Sequence, residues 1–265
     1  MRVLIESPYV SVWGHLLPWY GICILIGTGI ANAAALREIR LRDGIDVNDF
    51  ILAEGWGLLG AMIGSKLLYL ILSLDEIEWS RMTDPSYFGW YMRGGFVFYG
   101  GLAGALLALF AAERLHHLRL RGLLNTVVFA IPLAHGFGRI GCWLTGCCYG
   151  IPYSGFGSVV YLKSLTAPNR EPLFPVQLLE AVSLFLLSAV LLRISRSRRE
   201  HNVLAYYILL YSVIRFLLEF LRGDAVRGHW GWLSTSQWIS LLFTGACLFG
   251  LLLPSQRKVP PSTMM

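Results

Sequence analysis

Apolar residues fall into seven blocks along this chain, approximately Leu16–Leu36, Phe50–Leu72, Gly94–Ala112, Leu123–Cys142, Val176–Leu192, Asn202–Leu221 and Trp232–Leu253. Each comes close to the roughly 20 residues that a helix needs to cross hydrocarbon. The pattern predicts an all-α membrane protein with seven transmembrane helices. The polar connections alternate in character. Those after the first, third and fifth blocks are rich in arginine, and the others are longer and rich in aromatic residues and glycine.

Composition agrees. The chain has 265 residues, 55% of them hydrophobic and 14% charged, where a soluble domain carries about 25% charged residues. Mean hydropathy is +0.58. The net charge of +6 lies in connections between apolar blocks, the placement that orients a membrane protein rather than one that binds nucleic acid. On one side stand twelve basic residues: Arg37, Arg40, Arg42, Arg114, Arg119, Arg121, Arg193, Arg196, Arg198, Arg199, Arg257 and Lys258. Seven stand on the other, over much longer sequence: Arg2, Arg81, Arg93, Lys163, Arg170, Arg222 and Arg227. The positive-inside rule then puts the N-terminus outside and the C-terminus in the cytoplasm. The first 15 residues lack the basic start and compact apolar core of a cleavable signal peptide. With Tyr9, Val10, Val12 and Trp13, about residues 1–15 suggest an amphipathic arm on the membrane surface. The glycine- and proline-bearing stretch of about 143–175 suggests a small external subdomain. The whole, residues 1–265, reads as a single integral membrane domain, without repeat or low-complexity tract.

Six ionisable residues lie within or at the edges of the blocks: Glu54, Lys66, Arg139, Glu180, Arg215 and Glu219. Such charges are expensive in hydrocarbon and need partners or a purpose. Arg139 stands in the glycine-rich run His135-Gly-Phe-Gly-Arg-Ile-Gly-Cys-Trp-Leu-Thr-Gly-Cys-Cys-Tyr-Gly150 that closes the fourth block. His135, four residues earlier, shares its helical face. Arg215, Glu219 and Arg222 are spaced i, i+4, i+7 and are expected on one face of the sixth helix. Guanidinium groups pair bidentately with phosphate oxygens, so Arg139 and Arg215 converging near the outer leaflet suit a phospholipid headgroup. Mutual pairing that locks helices together is the plainer reading, and that or an interfacial position is favoured for Glu54. Cys142, Cys147 and Cys148 are spaced C-x4-CC, unlike zinc-ribbon or thioredoxin-type motifs. They read as small packing residues near a ligand, with a disulfide as the alternative, and no metal or cofactor is expected. Cys23 and Cys247 read as packing residues.

These residues resemble those of the prolipoprotein diacylglyceryl transferase family over nearly the whole chain. Trp19-Tyr20-Gly21 is similar to the family's W/H-Y-G, and Gly64-Ser-Lys66-Leu-Leu-Tyr69 to its G-G/A-R-x-x-Y. The run from Gly94 to Gly104 resembles G-G-M-S-x-H-G-G-x-x-G, and that from Gly138 to Gly150 resembles the signature G-R-x-G-N-F-x-N-x-E-x-x-G. Pro175-Val-Gln177-Leu-Leu-Glu180 is similar to P-x-Q-L-Y-E, the run from Arg215 to Asp224 to R-x-x-x-E-x-x-R-x-P-D, and Gln237 to a glutamine opening the last span. The resemblance implies an enzyme of the bacterial cytoplasmic (inner) membrane. It would move the diacylglyceryl group of phosphatidylglycerol to the lipobox cysteine of preprolipoproteins, leaving a thioether and releasing glycerol phosphate. It implies catalytic roles for Arg139 and Arg215 and puts Tyr99 where the family has its candidate for assisting the thiol; His135, from its place on the Arg139 face, is the other candidate for that task, or an interhelical hydrogen-bonding residue. It further implies substrate contacts at Tyr20, Lys66, Gly100, Gly101, Cys142, Thr145, Gly150, Gln177, Glu180, Glu219 and Arg222. Among the departures from the pattern, Tyr99 replaces a histidine, Cys142 and Thr145 replace asparagines, and Cys147 replaces a glutamate. Two other readings remain open at this point. One is a membrane thiol oxidoreductase using Cys142, Cys147 and Cys148, and the other is a non-catalytic phospholipid-binding protein.

Overall fold

The computed structural model describes residues 2–42, 44–197, 202–224 and 228–252. Arg198, Arg199, Arg227, Arg257 and Lys258, used above for orientation, lie outside them, as does the end of the seventh block at Leu253. The elements in order are β1 (Val3–Ile5), β2 (Tyr9–Val12), β3 (His15–Pro18), α1 (Trp19–Arg40), α2 (Val47–Leu72), α3 (Pro85–Arg93), α4 (Phe98–His116), α5 (Leu120–Val127) and α6 (Ala130–Thr145). Then come β4 (Val159–Tyr161), β5 (Pro172–Leu173), α7 (Val176–Arg196), α8 (Val203–Glu219), β6 (His229–Trp230), β7 (Leu233–Ser234) and α9 (Thr235–Leu252).

The body of every apolar block is helical. Among the described residues α1, α2, α4 and α7 are long and apolar enough to cross a membrane, and α5 with α6, bent by 47°, makes a fifth span if the two act as one. The chain divides into two compact units, residues 1–38 with 124–265, and residues 39–123.

The smaller unit is built on α2 against α4. Gly60 and Gly64 face Gly100 and Gly104, each pair one helical turn apart, and a Cβ on Gly64 would lie 2.8 Å from the Gly104 Cα. Lipid gives no hydrophobic force between helices, so such small-residue seams supply the packing. Asp84 begins α3 by accepting from the Ser86 amide at 2.9 Å, ahead of Pro85 at the first helical position. Hydrogen bonds from Ser86 hold the exposed Asp84 carboxyl below the usual range.

In the larger unit α6 packs against α7, with Val128, Phe129, Leu187, Leu191 and Val203 buried between helices. The break between α5 and α6 frees backbone carbonyls that lipid cannot hydrate. Hydroxyls of α7 take them up: Ser188 Oγ donates to the Phe129 carbonyl at 2.8 Å and Ser195 Oγ to the Asn125 carbonyl at 2.6 Å. Asn125 Oδ1 accepts from the Val203 amide at 3.1 Å at the start of α8. Buried Glu38 of α1 pairs with Arg196 of α7, where Arg196 Nε donates at 3.0 Å.

The all-helical expectation needs one amendment. Within the stretch expected as an amphipathic arm, residues 2–15 carry β1, β2 and the start of β3. β1 pairs in parallel with β4, and β4 pairs antiparallel with β5, so the first residues add a strand to the segment expected as a subdomain. Val159, Tyr161, Ala167 and Leu173 form its buried centre, with Ile5, Trp143 and Tyr149 against it. β2 and β3 form a hairpin turned by Trp13 and Gly14 at φ +49° and +80°, the left-handed pair that a tight two-residue hairpin turn requires.

Candidate active site

Three helices of the larger unit bring the buried charges together. Gly136, one turn before Arg139, lets α6 approach α7, since a Cβ there would meet Phe185 Cδ1 at 2.8 Å. This close approach sets Arg139 of α6 against Glu180 of α7. Arg139 Nε lies 3.2 Å from Glu180 Oε1, an ionic contact that does not meet hydrogen-bond geometry. The same Nε donates to His135 Nε2 at 3.2 Å, which requires the imidazole proton to sit on Nδ1. The predicted i, i+4 pair of His135 and Arg139 is therefore formed.

Glu180 is almost fully buried, and its second oxygen faces Arg222 Nη1 at 3.5 Å. Arg222 also grips Asp224 with two parallel bonds, Nε to Oδ1 at 3.0 Å and Nη2 to Oδ2 at 3.2 Å. Arg222 does not share the helical face of Arg215 and Glu219. Helix α8 ends at Glu219, Phe220 caps it, and the chain turns so that Arg222 bridges to Gly150. Gly223 explains the turn: its amide donates to the Tyr149 carbonyl at 3.0 Å, and a Cβ there would meet the Gly150 carbonyl carbon at 2.9 Å. Within α8, Arg215 Nη2 pairs with Glu219 Oε2 at 2.6 Å and reaches Ser236 Oγ at 3.4 Å. Arg215 Nη1 is buried and has no hydrogen-bond partner among the described residues.

Tyr211 joins this cluster unanticipated. It lies four residues before Arg215 on α8, its ring centroid is 5.7 Å from that of His135, and it feels the charges of Glu180, Arg139, Arg215 and Arg222. Its i−4 spacing from Arg215 was a signal in the sequence.

The segment leaving α6 closes the cluster. Thr145 Oγ1 donates back to the Gly141 carbonyl at 3.0 Å, and Gly146 ends the helix at φ +80°. Gln177 Nε2 donates to the Cys147 carbonyl at 3.0 Å, so it holds this loop. Tyr161 Oη donates to the Trp143 carbonyl at 2.8 Å, and burial pushes its phenol up from the ordinary range. None of the five cysteines is in a disulfide, and the sulfurs of Cys142, Cys147 and Cys148 lie within 4.8 Å of one another. Tyr20 of α1 packs over Gly141, where a Cβ would meet the Tyr20 Cα at 3.0 Å, and the Tyr20 side chain stays partly exposed.

Arg139, His135, Glu180, Arg222, Gln177, Cys142, Thr145, Gly150 and Tyr20 thus gather in one unit, with Arg215 and Glu219 on its α8. Lys66, Tyr99, Gly100 and Gly101 belong to the other unit. There Lys66 donates to the carbonyls of Tyr91 and Gly94, under the rings of Tyr69 and Phe96, and so fastens the connection before α4. Gly100 and Gly101 are buried in the seam with α2, and Tyr99 is half exposed beside Phe98. Gln237, matched above to the last span, accepts from the Ser234 amide at 2.9 Å and so ties β7 to the start of α9.

A family model described as prolipoprotein diacylglyceryl transferase matches residues 9–253. A phosphatidylglycerol–prolipoprotein diacylglyceryl transferase of Clostridium tetani (strain Massachusetts / E88) is 35% identical over 224 residues, 84% of this chain and 88% of that protein. Phosphatidylglycerol–prolipoprotein diacylglyceryl transferase 2 of Clostridium perfringens (strain 13 / Type A) is 34% identical over 255 residues, 95% of both chains. The enzyme of that name from Pseudomonas aeruginosa (strain UCBPP-PA14) is 30% identical over 251 residues, 88% of this chain and 87% of that one. These matches run through both helical units and the buried arginine cluster alike, and the chain belongs to the prolipoprotein diacylglyceryl transferase family.

Proposed function

We propose that this chain transfers the diacylglyceryl group of phosphatidylglycerol to the cysteine thiol of a preprolipoprotein lipobox. The observation that carries the reading is buried Arg215 Nη1, which has no hydrogen-bond partner among the described residues and lies beside an arginine–carboxylate network. A buried guanidinium nitrogen without an acceptor is costly. A phosphodiester oxygen supplies what it lacks. The opposed charges of Arg139, Arg215 and Arg222 with Glu180, Glu219 and Asp224 fix the guanidinium planes before substrate arrives, which is the preorganisation that stabilises a developing anion.

In the reaction the acceptor sulfur, as thiolate, attacks the glyceryl carbon that carries the phosphate. The carbon–sulfur bond forms, the carbon–oxygen bond to phosphate breaks, and its electron pair leaves with glycerol phosphate. Arg215 and Arg139 hold the departing phosphate charge. His135, already accepting from Arg139, orients that arginine and is a positioning residue in this scheme. Tyr20, partly exposed on α1, contacts the lipid.

The same reading takes the helices as seven spans with the N-terminus outside, in the bacterial cytoplasmic membrane. Residues 143–175, with the strand from the N-terminal arm, form the external subdomain that meets the lipobox. Membership of a transferase family favours group transfer over thiol redox chemistry. The test is release of glycerol phosphate from phosphatidylglycerol vesicles by the purified chain with a lipobox peptide. Formation of a thioether-linked diacylglyceryl peptide in equal amount supports the proposal. Intact lipid with folded protein overturns it.

A further inference from the structure

We propose that Cys142, Cys147 and Cys148 form a trithiolate site for one thiophilic d10 cation of the zinc class, whose open fourth position takes an acceptor thiol. The C-x4-CC spacing concealed this, because a straight helix would separate the sulfurs. The backbone turns instead. Helix α6 ends at Thr145, Gly146 takes φ +80°, and Cys148 takes φ +54°, a left-handed conformation unusual for a residue with a side chain. The turn folds Cys147 and Cys148 back onto Cys142, one helical turn before the end of α6.

The three sulfurs lie within 4.8 Å of one another. Thiolates bound tetrahedrally at about 2.3 Å from zinc stand about 3.8 Å apart, so side-chain rotation of roughly 1 Å closes the site. The surroundings hold the backbone still. Gln177 fixes the Cys147 carbonyl at 3.0 Å, Thr166 Oγ1 donates to the Gly146 carbonyl at 3.0 Å, and Ser164 Oγ donates to the Thr145 carbonyl at 3.1 Å. Such outer-shell bonds keep ligand loops in place. The donor set is wholly soft, which selects zinc or copper(I) over magnesium or calcium. Three thiolates and a divalent cation leave one negative charge, and Arg139 and Arg222 lie within electrostatic reach of Cys148 to balance it.

A three-sulfur set leaves a d10 cation one free position. A thiol entering it displaces bound water, is held as thiolate, and gives its proton to that water, with no change of oxidation state. This part rests on the transferase reading. It supplies there the deprotonation for which Tyr99, standing in place of the family's histidine, is poorly suited.

The experiment uses the full chain in detergent, reduced, loaded with zinc chloride and desalted. Metal per chain is measured by mass spectrometry. The wild type should retain one zinc, and Cys142→Ser, Cys147→Ser and Cys148→Ser should each lower affinity by at least about tenfold, while Cys247→Ser does not. The cobalt(II) form should change its thiolate-to-cobalt absorption on addition of a lipobox peptide and not of its serine analogue. Failure to retain zinc, retention unchanged by the three substitutions, an internal disulfide in the protein as isolated, or no response to the thiol peptide would each overturn the proposal. Metal content is read without turnover. Loss of glycerol phosphate release with zinc retained and thiol bound counts against the transferase reading alone.

Discussion

Glu180 is the residue on which the buried charges depend. It faces Arg139 with one oxygen and Arg222 with the other, and it is 1% exposed. Replacing it by glutamine leaves buried Arg139 without its counter-charge and Arg222 with Asp224 alone. Glu180→Gln should therefore lower stability by about 3–5 kcal/mol, read as a shift in unfolding midpoint in detergent. An unchanged midpoint would mean that the network is not what holds α6 to α7. Arg215→Ala should behave differently. It should slow transfer by at least about 100-fold while the folded protein remains recoverable, since one of its donors is unpartnered already. Arg139 and Glu180 were legible in the sequence because a charge inside an apolar block demands an opposite one. Arg222 was not, since the i, i+7 count assumed that the helix continued past Glu219. The tertiary pairing of Gly223 with Tyr149 ended it. Tyr211 was overlooked because a tyrosine in an apolar block reads as ordinary helix surface until its neighbours are known.

At the scale of elements, α5 and α6 together show what an apolar block conceals. Hydropathy predicts one span from Leu123 to Cys142, yet the helix is bent by 47° between Val127 and Ala130. Ser188 and Ser195 on α7 accept the consequence by binding the carbonyls of Phe129 and Asn125. Ser188→Ala should cost about 1 kcal/mol, measured by reversible unfolding in mixed micelles, and a neutral effect would show that the Leu133 amide, which also donates to the Phe129 carbonyl at 3.4 Å, satisfies it alone. The α2–α4 seam makes a stronger demand. A side chain on Gly64 meets the Gly104 backbone directly. Gly64→Leu should push the helices apart and remove the folded monomer from size-exclusion profiles, whereas Gly89→Leu, with open space around its Cα, should not. Helices were legible because apolar length is a strong signal. The strands escaped because each has only two to four residues and owes its pairing to a distant partner, as β1 does to β4.

For the molecule as a whole, the alternation of arginine-rich and aromatic connections implies an orientation that the fold then has to serve. If the N-terminus is outside, Leu165, 77% exposed in the subdomain after α6, faces the external medium. In a variant lacking the native cysteines, Leu165→Cys should react with a membrane-impermeant maleimide in intact cells, and Arg119→Cys should react only after lysis. The reverse pattern would invert the topology. The family was legible because its motifs occur in order along the chain. What the departures from that pattern do chemically was not, because Cys142 and Cys147 become neighbours only through the left-handed turn at Gly146. The account stands or falls on phosphate binding by the buried arginines during transfer. The most direct measurement is glycerol phosphate release from phosphatidylglycerol with a lipobox peptide, by the wild type and by Arg215→Ala purified side by side. Release matched by thioether formation in the wild type, and lost in the variant, is the expected result. Equal release by both proteins would contradict the phosphate-holding role, and none from the folded wild type would contradict the activity itself.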